Sequence, residues 1–204
     1  MNKAFLTFLK YLLPSVFILS HFATYAADAD GKFAVKGAGK RSCNDFVQAA
    51  DEKSSDFLLY GGWLEGYLSH FNSNQENTFD VTPWQTTELL LALLKRHCAA
   101  NLEMRFLTAT NSMLKTLYPI RLDSSSQLIK IDVQDSQSYY YSEILLRAKK
   151  RLKALGFLNT EITENFDELD VKAFSDFQKS IGIAQTGIPD QQTLMALFLK
   201  TNEK

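Results

Sequence analysis

The chain is 204 residues long, with 46% hydrophobic and 12% aromatic residues and a formal net charge of -1. That length allows one domain or two small ones, and the apolar fraction is ample for a packed core. The balanced charge supplies no global field for nucleic acid or an anionic membrane, so nucleic-acid binding is set aside.

Residues 1–26 read as targeting sequence. MNKAFLTFLK carries Lys3 and Lys10, YLLPSVFILS is a short apolar run broken by Pro14, and HFATYA ends in small residues. This is the order of a secretory signal, with cleavage expected between Ala26 and Ala27. The alternative, an uncleaved anchor, is disfavoured because the run falls short of the ~20 residues that a spanning helix needs. There is no lipoprotein-type Cys at the cleavage point, and no second long apolar run follows. The expectation is a bacterial periplasmic or secreted protein with no membrane span after signal cleavage.

Export sets how the cysteines read. Cys43 and Cys98 both lie beyond the signal, and in an oxidising compartment an even pair forms one disulfide. Closing a loop of that length stabilises a fold by roughly 4 kcal/mol in the chain-entropy model. A Cys43–His97 nucleophile pair is the sharper alternative, but neighbouring Cys98 would trap a thiolate at Cys43. His70 and His97 are the only histidines beyond the signal. No Cys or His pair has zinc spacing, so neither a metal nor another cofactor is expected.

Residues 27–41 (ADADGKFAVKGAGK and Arg41) read as a flexible leader, followed by a helical domain over 42–118. In SSDFLLYGGWLEGYLSHFN, residues Phe57, Tyr60, Leu64, Tyr67, Leu68 and Phe71 recur at helical spacing. Gly61 and Gly62 weaken such a helix and suggest close approach of another backbone. DVTPWQTTELLLALLKRHC offers Thr82 as N-cap and Pro83 at the first helical position, with Trp84, Leu91, Leu94 and Cys98 on one face. A third helix, NLEMRFLTATNSMLKTL, aligns Leu102, Phe106, Ala109, Met113 and Leu117. Residues 119–138 read as a linker with strand character, from the runs Ile120–Leu122 and Leu128–Val133 around a Ser-rich turn.

From residue 139 the pattern is helical again. YYYSEILLRAKKRLKALGFLN repeats Leu145, Ala148, Leu152 and Leu155 on one face, with Gly156 as a stop. Its basic run, Arg147 to Lys153, reads as the solvated outer face of an amphipathic helix rather than a polyanion site. Glu161, Glu164, Asp167, Glu168 and Asp170 can neutralise it. A second helix carries Val171, Phe174, Phe177 and Ile181. A third begins at Asp190, a good N-cap, and buries Leu194, Leu197 and Phe198. The fold class expected is therefore mainly α: a disulfide-tied helical domain, a short β-like linker, and a C-terminal three-helix domain over 139–204.

The segments LKALGFLN, AFSDFQKSIGI and TGIPDQQTLMAL resemble the peptidoglycan-binding domain family, a three-helix module attached to many bacterial wall enzymes. The matching residues are Leu152, Leu155, Gly156 and Phe157, then Phe177 and Gln178, then Thr186, Gly187, Asp190 and Thr193. The resemblance implies a peptidoglycan ligand met by Phe157, Asn159, Phe177 and Gln178. The sequence departs from the family in the loop ITENFDELDVKAF. There Glu164 and Asp167 stand near expected glycines and Asp170 near an expected Thr, while Lys149 replaces the usual first-helix Gln. A Gly-rich loop brings backbone close to a ligand, whereas this loop presents carboxylates. The alternative is a retained fold used for packing or protein contacts.

SCNDFVQA, WLEGYLSHFN and LLKRHCAANLEMRF make the earlier region similar to exported one-disulfide helical proteins, either Hde-type acid chaperones or Rap/Tai-type immunity proteins. The carrying residues are Cys43, Phe46, Trp63, Gly66, Tyr67, Cys98 and Asn101. Trp63 and Tyr67 are either a partner-binding stripe or core. A glycosidase would need two carboxylates in a cleft, and Glu65, with Glu88 or Asp80, could supply a pair. Glu65 reads instead as a solvated charge opposite the apolar face, so no catalytic residue is assigned. The chain thus reads as a non-catalytic exported envelope protein. Its C-terminal domain associates with peptidoglycan, and its N-terminal domain engages an exported or envelope protein partner. The alternative is an immunity protein or periplasmic chaperone whose C-terminal module no longer binds peptidoglycan.

Overall fold

The structure, a computed structural model, describes residues 27, 28, 30–133 and 136–200. The secretory signal expected over 1–26 lies outside the described residues. The chain divides into two units, Met1–Ala34 and Val35–Lys204. In the first, Asp28 Oδ1 accepts the backbone N–H groups of Asp30 and Lys32 at 3.0 and 2.7 Å. The second unit carries the fold.

It is mainly α, as the periodicity predicts. A 3-10 turn, Gly37–Lys40, leads into α1 (Cys43–Asp51), α2 (Ser55–Asn74), α3 (Thr87–Ala99) and α4 (Phe106–Leu117). A second 3-10 turn, Tyr118–Ile120, precedes the antiparallel hairpin of β1 (Leu128–Val133) and β2 (Ser136–Tyr141). Then come α5 (Ser142–Ala154), α6 (Glu168–Ser180) and α7 (Gln191–Met195), the last running into a π-helical turn, Ala196–Lys200.

The first core gathers α1 to α4. Phe46, Tyr60 and Phe106 are fully buried and meet pairwise with centroids 4.7–4.9 Å apart. Beside them, the Cys43–Cys98 disulfide joins the first residue of α1 to the last turn of α3. Ser42 and Asp45 form a capping box that fixes where α1 starts. The expected bond is thus present, and it lies inside the core rather than on its surface.

Several local expectations are corrected. The leader is not loose over its last residues: Ala38 and Gly39 are buried, and the Trp63 ring lies against Gly37 and Gly39. A Cβ at Gly39 would come within 2.1 Å of Trp63 Cζ2. Gly61 and Gly62 admit no close backbone. A Cβ at Gly61 would meet Leu91 Cδ1 at 3.6 Å, and Gly62 faces open space.

Helix α3 starts at Thr87 with Thr86 as N-cap, not at Pro83 with Thr82. Thr82 N–H is held by Asp80 Oδ1 at 2.9 Å, a local side-chain turn that competes with helix. Trp84 therefore leaves the α3 face and enters the second core. Leu102 precedes α4 and is exposed, while Thr110 and Leu114 complete its buried face.

Tyr139, Tyr140 and Tyr141 are strand, not helix, in line with the preference of aromatic side chains for a pleated, half-buried surface. Ile120–Leu122 forms no strand; Leu122 makes only an isolated bridge to Asp80. Leu155 and Ile181, expected on apolar faces, are helix-end residues exposed to solvent.

The second core is built on α5, α6 and α7. Ile144, Ala148, Leu152, Phe174, Phe177, Leu194 and Leu197 form it, joined by Trp84 and Leu122 from earlier in the chain. Gln191 ties this core to the segment before α3. Its Nε2 donates to Trp84 O, and its Oε1 accepts the Thr86 N–H at 3.0 Å.

Candidate functional site

The C-terminal site is organised by one buried amide. Gln178 is 0% exposed, and its Oε1 accepts the Gly187 N–H at 2.9 Å. Its Nε2 donates to Thr186 Oγ1 and Thr193 Oγ1, both at 2.8 Å, and lies 2.9 Å from Ile188 O. Both hydroxyls in turn donate to Asp190, Thr186 to Oδ2 at 2.7 Å and Thr193 to Oδ1 at 2.8 Å. The directions are forced, because a carboxylate only accepts and an amide nitrogen only donates.

Every polar residue of the Thr-Gly-x-x-Asp-x-x-Thr corner thus points into one network. Gly187 is required there. Its φ is +68, and a Cβ would come within 2.7 Å of Val171 Cγ1. Asp190 also caps α7 through the Thr193 N–H at 2.9 Å.

The basic run of α5 is solvated only in part: Lys150 and Lys153 are exposed and Arg147 and Arg151 half-buried, but Lys149 is not on the outer face. Lys149 is 1% exposed, and its ammonium sits 2.6 Å from Asp170 Oδ2. It also donates to Thr163 O at 3.0 Å and to Asn165 O. Arg147 donates to Ile120 O and Arg121 O at 3.0 and 2.9 Å, and pairs with Glu143. Arg151 donates to Leu197 O and Lys153 to Thr160 O.

These cations staple surrounding backbone to α5. The reason is geometric: Lys149 falls on the Leu145, Ala148, Leu152 stripe at i+4, so it must enter the core. The helical wheel carries that signal, although the charge run as a whole suggests the opposite.

The loop before α6 is correspondingly closed. Asp167 N-caps α6, accepting the Leu169 and Asp170 N–H groups at 2.9 and 3.0 Å, while Asp170 returns a bond to the Asp167 N–H. Two of the carboxylates expected to face a ligand are therefore occupied with the helix and with Lys149. Glu164 is exposed.

Of the residues assigned to a ligand, Phe177 and Gln178 are buried with internal contacts. Phe157 is half-buried, edge-on to Phe177 at 5.5 Å, and Asn159 is exposed. The structure brings Phe157 and Phe177 together and gives Gln178 a separate role in the corner.

In the N-terminal core, Trp63 and Tyr67 stack on each other at 5.0 Å and 9°. Tyr67 donates its hydroxyl to Asn111 Oδ1 at 2.7 Å, and burial pushes its pKa above the usual tyrosine range. Both rings are half-buried against the core, so each is partly core and partly surface.

Glu65 is exposed and accepts from Thr87 Oγ1 at 2.7 Å. Glu88 is held below the usual carboxylate range by its own backbone N–H and by the Thr86 hydroxyl. Asp80 is taken up by Thr82 and Asn72. Among the described residues, no group of three or more His, Cys, Asp or Glu side chains could hold a metal ion.

Residues 142–197 match the family model of a putative peptidoglycan binding domain. The match begins at the first residue of α5 and ends in the turn after α7, so it spans the α5–α7 part of the second core and the whole Gln178 network. The C-terminal part is thus a helical module of the peptidoglycan-binding type. No curated protein and no solved structure gives a significant match to the chain. No described helix is long and apolar enough to cross a membrane.

Within this module the departures at Lys149 and Asp170 become one feature, a buried ion pair. Both departures are visible in the sequence; their contact is not.

Proposed function

We propose that this is a non-catalytic protein of the bacterial envelope, exported, that associates with peptidoglycan through its C-terminal module and engages a protein partner through its N-terminal helical domain. The observation that carries the first half is the match over residues 142–197 to a wall-binding family, together with the intact Gln178 corner. Partner engagement is supported by the outward side of α2, where Leu58 and Leu59 are 75% and 57% exposed. Adjacent apolar side chains left in water mark interaction surfaces more often than isolated ones do. Trp63 and Tyr67 would form the edge of that surface, and Phe157 and Asn159 remain the accessible members of the ligand set.

Sedimentation with purified sacculi at low salt tests the first half. The purified protein should pellet with the sacculi; retention in the supernatant would overturn wall association. Affinity capture from envelope extract tests the second, with a single stoichiometric partner expected.

A further inference from the structure

The junction of α1 and α2 carries charge that the first core does not use. A groove of about 500 Å³ lies there, lined by Arg41, Asp45, Gln48, Glu52, Ser54 and Asp56 among others. Three carboxylates against one guanidinium leave a local surplus of two negative charges, in a chain whose formal net charge is only -1. Lys53 stands between Glu52 and Ser54 in sequence but does not line the groove.

The carboxylates are only partly engaged. Asp45 belongs to the capping box of α1. Glu52 Oε1 accepts from Gln48 Nε2 at 2.8 Å, and Asp56 Oδ2 pairs with Arg41 at 2.5 Å. Each of these two bonds takes one oxygen, which leaves Glu52 Oε2 and Asp56 Oδ1 to the groove.

A second, independent feature lies behind Arg41. Tyr60 is 0% exposed, and its hydroxyl is left without a hydrogen-bond partner. It is turned toward the groove: the Arg41 guanidinium lies 5.8 Å from its ring centre, and the charges of Arg41, Asp45 and Asp56 all act on it. Arg41 is aimed at Asp56 instead. A buried hydroxyl in that state calls for an explanation. It would gain a donor if Arg41 turned from Asp56, and Asp56 would then need another cation.

What borders the groove decides the source of that cation. Leu59 lies three residues beyond Asp56 on α2, and side chains so spaced are neighbours on a helix surface. Leu58 and Leu59 are the exposed apolar pair of this helix. A small amine would use the acids alone. A protein segment with a basic side chain beside apolar ones would use both.

We propose that this groove and the two leucines dock a protein partner through a basic, amphipathic segment, whose cation replaces Arg41 on Asp56 and lets Arg41 donate to the Tyr60 hydroxyl. The inference rests on the partner engagement proposed above and assigns the partner's chemistry and the place where it is met.

The test uses the full chain and its Glu52→Gln, Leu59→Ser and Tyr60→Phe variants. The probes are a synthetic amphipathic lysine–leucine peptide and two counterparts, one with glutamate for lysine and one with serine for leucine. The parent should bind the lysine–leucine peptide alone, and less tightly as salt rises. Glu52→Gln should raise Kd about threefold, as loss of an exposed ion pair does, and Leu59→Ser about tenfold. Tyr60→Phe should also raise Kd about tenfold, with an unfolding midpoint no lower than the parent's, because the hydroxyl has no bond to lose before docking.

Equal binding of the glutamate peptide, or a Kd that none of the three variants changes, would overturn the inference. Capture of one stoichiometric envelope partner by the parent and all three variants alike would overturn it too, while leaving partner engagement in place. A parent that captures no partner would instead remove the reading on which it rests.

Discussion

Gln178 serves as the keystone of the C-terminal corner because a primary amide offers donor and acceptor on one short arm. Gln178→Ala would leave the buried Gly187 N–H without a partner and take the amide donor from Ile188 O and from two threonine hydroxyls, which would keep only Asp190. Unpaired buried groups each cost ~1–3 kcal/mol, so a loss of about 3 kcal/mol is expected on urea unfolding. A loss under ~1 kcal/mol would show that water or rotation replaces the amide.

The Lys149–Asp170 pair behaves differently, since both members are charged and buried. Lys149→Met or Asp170→Leu alone should cost about 3–5 kcal/mol by stranding the partner charge, while the double variant should lie within ~1 kcal/mol of the parent. A double-mutant cycle from thermal or urea unfolding measures this directly, and additive single losses would contradict it. The Thr-Gly-x-x-Asp-x-x-Thr corner was legible in the sequence because caps and tight turns are local chemistry. Lys149 was not, because its burial depends on what α6 and the loop before it place opposite.

At the scale of elements, the disulfide acts on the unfolded chain. Cys43 and Cys98 stand 55 residues apart. Reduction, or the Cys43→Ala/Cys98→Ala variant, should lower stability by about 4 kcal/mol in the chain-entropy model. Urea unfolding with and without reductant checks this, and superimposable curves would refute it.

The helices themselves were legible from apolar spacing, since one face of each must find a core. Their boundaries were legible only where the cap was unopposed. Asp190 caps as expected. Thr82 and Pro83 do not start α3, because Asp80 draws the Thr82 N–H into a turn first. The three tyrosines after Ser138 followed the sheet because Leu128–Val133 was available as a strand partner, a pairing that helical periodicity cannot register.

At the scale of the molecule, two clusters share contacts through Ile120 and Leu199, which pack against both. The C-terminal module was recognisable from its own residues. The Phe79–Tyr141 ring contact was not, because the two residues come from segments far apart in sequence, and the Asp80–Leu122 bridge holds Phe79 in place. The partial shielding of Trp63 was equally hidden, since its neighbour is a glycine turn that reads as leader.

That turn and the displaced start of α3 have a joint consequence. The chain holds two tryptophans, and Trp63 packs against the first cluster while Trp84 is buried within the second. Each cluster therefore carries its own intrinsic fluorophore. Phenylalanine in place of either one isolates the emission of the other, so the two halves can be followed separately and without labels as the molecule unfolds or meets the wall.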